Sequence, residues 1–208
     1  MTILVSGFEP FDDAATNPSW DAARALAASW PALGHAEELH AVRLPVTFDG
    51  AWPALRAAIE EHSPRVVVAA GLAGGTQHLR VERVAINLAD ARIPDNAGAS
   101  PREEPVVDGG PVGLWTDLPV RGTLALLRER GVPARASTTA GTYVCNALFY
   151  ALQHATPSTV RSGFVHVPAD DAGGLPLEVT VAGLRAVVEA AAGLVALPAD
   201  DVTSGTES

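Results

Sequence analysis

The stretch RVVVAAGLAGG at residues 65–75 decides the architecture. Five apolar residues, three of them β-branched, run without a polar interruption, and the run then breaks into a glycine-rich turn. A strand that is apolar on both sides needs cover on both faces, which is the environment of a parallel sheet between two layers of helices. Working outward, the same short apolar runs recur at Thr2–Ser6, Leu39–Leu44, Val81–Asn87, Ala134–Thr138 and Gly163–Val167. Between them lie amphipathic stretches at Ser19–Ser29, Phe48–His62, Val120–Arg130, Val144–His154 and Leu177–Ala192. In the last of these, Leu177, Val181, Leu184 and Val188 share one helical face. Strands alternating with helices predict an α/β fold, a three-layer α/β/α sandwich with a mixed, mostly parallel sheet.

Two regions break the rhythm. Residues 88–119 are rich in Pro, Gly and Asp and lack periodicity, so they read as a long functional loop. Residues 198–208 are polar and read as a flexible tail, which leaves 1–197 as a single α/β domain.

Composition narrows the function. With 208 residues, 48% of them hydrophobic, the chain can bury one sizeable core. One cysteine excludes an intrachain disulfide framework and fits a reducing compartment. No leader pattern opens the chain and no apolar run reaches membrane-spanning length, so a soluble, cytoplasmic protein is expected, with no membrane partner. A formal net charge of −10, with 14 scattered basic residues, argues against nucleic acid. Neither GxGxxG nor GxxxxGK[ST] is present, and the six histidines show no HExxH, so neither a nucleotide cradle nor a metal site is expected.

The lone cysteine, Cys145, stands in GTYVCNALFY at 141–150, four residues after a glycine and at the start of a helical pattern. In a first helical turn, free N–H groups and the helix dipole favour a thiolate and can hold a developing oxyanion. Buried packing is the alternative use of such a cysteine. A cysteine nucleophile needs a base, and His166 at the end of the apolar strand GFVHV is a candidate. Glu82, a carboxylate on the apolar run VERVAIN, needs a partner if buried.

Seven blocks then carry a resemblance: SGFEPFDDAATNPSW at 6–20, RLPVTF at 43–48, GLAGG at 71–75, VERVAINLADARIPDNAG at 81–98, DGGPVGLWTDLPV at 108–120, TAGTYVCNALFY at 139–150 and SGFVHVP at 162–168. In content and order the chain resembles the type I pyroglutamyl peptidases, also called pyrrolidone carboxyl peptidases, from about Thr2 to Ala192. The resemblance implies a cysteine peptidase that removes N-terminal pyroglutamate from peptides, with no cofactor. It implies a fold similar to that of purine nucleoside phosphorylases and assembly as a homo-oligomer, tetramer or dimer. It makes Cys145 the nucleophile, His166 the general base and acid, and Glu82 the carboxylate that orients His166. Arg92 falls near the oxyanion site, together with the Cys145 backbone N–H. Phe8 and Phe11 become the aromatics that clamp the lactam ring, with Ile93, Tyr143 and Val144 as further wall. Asn17 steadies the N-terminal loop, and the backbone of Leu72 pairs with the lactam amide.

The chain departs from the family pattern in three places. HVPADDAGG replaces the usual HVPYxPEQ, GFEPFDD lacks paired glycines, and Thr138 stands where asparagine is common. These bear on loop shape, leaving-group preference and oligomer contacts. Competing readings are a nucleoside phosphorylase using Gly71–Gly75 for phosphate, a glutamine-amidotransferase-like thiol hydrolase, and a non-catalytic peptide-binding module. The second would want glycines where Tyr143 and Ala147 stand.

Overall fold

The computed structural model describes residues 1–12, 14–170 and 173–198. The expected flexible tail therefore lies, from residue 199 on, outside the described residues, as do two residues of the HVPADDAGG departure. In chain order the strands are β1 (Thr2–Phe8), β2 (Glu38–Leu44), β3 (Val66–Leu72), β4 (Leu79–Glu82), β5 (Val84–Ile86), β6 (Gly113–Trp115), β7 (Ala134–Ser137) and β8 (Arg161–Val167). The helices are α1 (Pro18–Ser29), α2 (Ala51–His62), α3 (Val120–Glu129), α4 (Val144–Ala155) and α5 (Leu177–Ala192).

Six strands form one sheet in the order β2-β1-β3-β8-β4-β7. Every neighbouring pair is parallel except β4 against β8. The sheet is mixed and mostly parallel, as expected. Val66–Ala70 lie at its centre with every residue buried, which is why that run carries no alternation. Val66, Val68 and Ala70 of β3 face one layer with Leu26 of α1, Leu127 of α3 and Val187 of α5. Val67 and Ala69 face the other, with Leu55 of α2 and Leu148 of α4. Burying each large side chain in these two clusters contributes roughly 1.5–3 kcal/mol.

The expected strand Val81–Asn87 is corrected: it is two strands in two sheets. β4 ends at Glu82, and β5 pairs antiparallel with β6 in a separate ribbon. Arg83 is the hinge, since its N–H donates to Ser137 in the main sheet while its carbonyl accepts from Thr116 beside the ribbon. β6 lies within residues 88–119, so that region is not wholly a loop. Its three residues are too few to show a period.

Candidate active site

α4 opens after a turn that requires Gly141 at φ 79°, a backbone state costly for other residues. Tyr143 is extended and caps the helix without a side-chain hydrogen bond, so Cys145 enters the first turn among unsatisfied N–H groups. The Cys145 sulfur lies over Gly71 at the end of β3. A Cβ on Gly71 would stand 2.8 Å from Cys145 Sγ and 2.8 Å from Phe164 Cζ, so a side chain there would displace the thiol. The parallel β3–β8 register pairs Gly71 with His166. Strand pairing therefore places His166 beside Gly71, over which the sulfur lies.

His166 is buried, and its Nδ1 donates to Glu82 Oε1 at 2.8 Å. Glu82 is fully buried, and its other oxygen, Oε2, has no hydrogen-bond partner among the described residues. The imidazole is thus what compensates the burial of this carboxylate. The ring also hydrogen-bonds Cys145. Burial would lower the His166 pKa, but the hydrogen bonds to Cys145 and Glu82 and their negative charge outweigh it and raise the value to about 9. The arrangement is a thiol hydrogen-bonded to an imidazole that a carboxylate backs: a nucleophile beside an acid that can protonate a leaving amine.

A pH dependence follows. The proton on His166 is retained up to about pH 9 and lost above it, so kcat/KM should fall on the alkaline side near that value. The stabilisation from this group is fully present below its ordinary value of 6.5 and disappears as pH rises through about 9. Glu82→Gln should lower kcat by roughly 10³–10⁴-fold with a smaller change in KM, because the carboxylate supports a charge that matters during reaction. In the same variant the alkaline limb should move to lower pH. A pH–rate profile with an unchanged kcat and an unmoved limb would reduce Glu82 to packing.

The aromatics gather on the other side of Cys145. Tyr143 packs against Phe11 and Phe48, with ring centroids 5.5 and 5.3 Å apart. Its hydroxyl donates to the Pro94 carbonyl at 2.9 Å. Burial first, then Asp95, Cys145 and Asp12, push its pKa up to about 12, so the phenol remains neutral. Phe8 is buried, with its N–H donating to Ser19 Oγ, and Val144 is buried too, while Ile93 is half-buried. Leu72 ends β3 and is 36% exposed. The structure thus brings Cys145, His166 and Glu82 together, and gathers Phe11, Tyr143, Phe8 and Val144 in a single apolar cluster. Arg92 is exposed on the loop after Asp90, with no ion pair among the described residues.

The wall loops are held by polar staples. Asn17 caps α1, accepting from Ser19 N–H at 3.1 Å and Ser19 Oγ at 2.8 Å, and its amide donates to the Glu9 carbonyl at 2.8 Å. The Asp95 carboxylate, buried, accepts from the N–H groups of Phe48, Ala97 and Ala99. Asn96 Nδ2 reaches Glu9 Oε1 and the Pro10 carbonyl. Asn146, fully buried, accepts from Ile86 N–H and donates to the carbonyls of Ile86 and Leu88. It ties the helical turn of Cys145 to the chain that leaves Glu82. Sequence reasoning did not single out Phe48, Asp95 or Asn146. For Asn146 the signal was present, a polar amide inside the otherwise apolar VCNALFY.

Residues 1–193 match the family described as Pyroglutamyl peptidase. The chain is 48% identical over 170 residues to the pyrrolidone-carboxylate peptidase of Clavibacter michiganensis subsp. michiganensis, covering 80% of this chain and 78% of that one. It is 45% identical over 194 residues to that of Pseudomonas fluorescens, covering 89% and 90%. Among solved structures, pyroglutamyl peptidase I from Bacillus amyloliquefaciens superposes with a TM-score of 0.85 at 35% identity, covering 92% of this chain and 94% of that one. Pyrrolidone carboxyl peptidase from Pyrococcus furiosus superposes with a TM-score of 0.86 at 32% identity, covering 93% and 99%.

Proposed function

The chain belongs to the pyroglutamyl peptidase family of cysteine peptidases, and from that premise we propose how its own residues remove N-terminal pyroglutamate from peptides. The Cys145 thiolate attacks the carbonyl that follows the lactam ring. The His166 imidazolium protonates the leaving amine, and a thioester remains on Cys145. Water then attacks the thioester with neutral His166 as base, releasing pyroglutamate and restoring the thiol. Glu82 holds the imidazole through Nδ1 and stabilises its charge. The Cys145 N–H and Arg92 face the developing oxyanion. The lactam lies against Phe8, Phe11, Tyr143, Val144 and Ile93, its amide paired by the Leu72 backbone, with Asn17 steadying the N-terminal loop.

The observation that carries this reading is the 2.8 Å bond between His166 and a fully buried Glu82, with Cys145 on the other side of the same ring. Residues 1–197 act as one catalytic unit in this reading, in a cytoplasmic homo-oligomer. The exposed Val112 and Trp115 offer an apolar edge for assembly. A nucleoside phosphorylase is not favoured, because Gly71, its first phosphate-turn glycine, is committed to the Cys145 sulfur.

Release of a chromophore from a pyroglutamyl arylamide under reducing conditions tests the reading. Cleavage should be lost in step with alkylation of one thiol by iodoacetamide. A purified, folded protein that leaves the substrate intact would overturn it.

A further inference from the structure

The order of strands gives the site a direction. The lactam wall, drawn from β1 and the start of α4, lies on the β1–β3 side of Cys145, and His166 on β8 lies on the other. The leaving amine takes its proton from His166, so the remainder of the peptide departs over β8, β4 and β7. Two arginines occupy that side. Arg80 stands directly opposite His166 in the antiparallel β8–β4 pair, and Arg135 stands opposite Arg80 in the β4–β7 pair. Residues directly opposite share a face, and strands lie roughly 4.8 Å apart. Arg80 is therefore about one strand spacing from His166, and Arg135 about two.

Arg80 also shares its face with Glu82, two residues on, which touches His166. Leu79 and Val81 point to the opposite layer. Neither arginine makes an ion pair among the described residues. Glu82, on the same face, is buried and bound to His166. His78, in the turn entering β4, reports the local field. Burial, then Arg135, then Arg80 hold its pKa below 6.5, so both guanidinium charges are felt at this turn. In a chain of net charge −10 such a pair stands against the general potential.

We infer that Arg80 and Arg135 form a leaving-group subsite for a carboxylate on the residue that follows pyroglutamate. This rests on the peptidase reading and adds a substrate class to it: anionic pyroglutamyl peptides. The carboxylate has two sources, the free α-carboxylate of a dipeptide or an acidic side chain. Both are within the reach of an arginine side chain when the scissile nitrogen sits at His166. Arginine suits the task because its planar fork pairs with carboxylate through two parallel bonds.

The test compares kcat/KM for pyroglutamyl-glutamine amide, pyroglutamyl-glutamine and pyroglutamyl-glutamic acid amide, which carry no carboxylate, an α-carboxylate and a side-chain carboxylate. At about 20 mM salt at least one anionic substrate should exceed the neutral one by roughly 5–10-fold, mainly through KM, and the arm that gains identifies the source. The ratio should shrink at about 0.5 M salt. It should also fall towards one in Arg80→Gln and in Arg135→Gln, each judged by its own neutral substrate, so a general loss of activity cannot imitate the result. Equal rates on all three substrates in the unmodified protein, or a preference that survives both substitutions, would overturn the subsite. Cleavage of the neutral amide in either event leaves the peptidase reading standing, and failure to cleave any of the three refutes that reading instead.

Discussion

Replacing Cys145 by alanine should lower turnover of a pyroglutamyl arylamide by at least about 10⁴-fold while leaving the circular dichroism and thermal transition nearly unchanged. Cys145→Ser should fall almost as far, and the reason lies in His166. Its pKa of about 9 depends on a negative charge at residue 145 and on Glu82. A hydroxyl does not ionise there, so the ion pair that stores both nucleophile and acid is lost. A serine variant would need an imidazole that first removes a proton, a different mechanism in a site arranged for a charge-separated pair. The check is kcat measured with protein shown to be folded and free of residual wild type. Activity within tenfold of wild type in either variant would remove the thiol from the reaction.

Pyroglutamyl arylamide should be preferred over prolyl arylamide by roughly 10⁴–10⁵ in kcat/KM. The two rings are nearly isosteric, so apolar contact with Phe8, Phe11 and Tyr143 discriminates weakly. What differs is polar. Proline lacks the lactam carbonyl, which leaves a donor in the pocket unpaired, and it carries a protonated amine that needs a carboxylate. Of the acids that act on Tyr143 in this wall, Asp95 has its oxygens taken by the N–H groups of Phe48, Ala97 and Ala99, and Asp12 has the weaker influence. Specificity constants on the two arylamides decide the matter. Comparable values would mean that the lactam does not lie where Phe11 and Tyr143 place it.

Much of this was legible in the chain before its structure. VVVAA carried the layer arrangement because full burial on both faces leaves a strand no polar alternative. Gly141 and the helical pattern after it carried the placement of Cys145. The break at Arg83 was not legible: VERVAIN has no glycine or proline, and the switch between sheets is imposed by partners, Ser137 on one side and Thr116 on the other. The antiparallel direction of β4 was equally hidden, since composition does not encode which way a strand runs. In the site, Glu82 was visible as a carboxylate out of place, but its bond to His166 joins residues 84 apart in sequence, and the family resemblance supplied that pairing. Asp95 and Asn146 went unremarked because their work is done on backbone groups of other loops, which no residue type announces.

The position of β8 has a consequence for how the chain reaches its native state. β8 is the last strand in sequence, yet it enters the middle of the sheet, between β3 and β4. Until residues 161–167 arrive, β3 and β4 are both open edges and the β4–β7 pair has nothing to join. Bringing together partners so distant in sequence requires loop closure before any contact rewards it, which makes the step slow. During synthesis the N-terminal half therefore waits with its most apolar strand, VVVAA, unpaired on one side and prone to self-association. The same delay keeps the thiol harmless, because Cys145 has no imidazole beside it until the final strand is threaded.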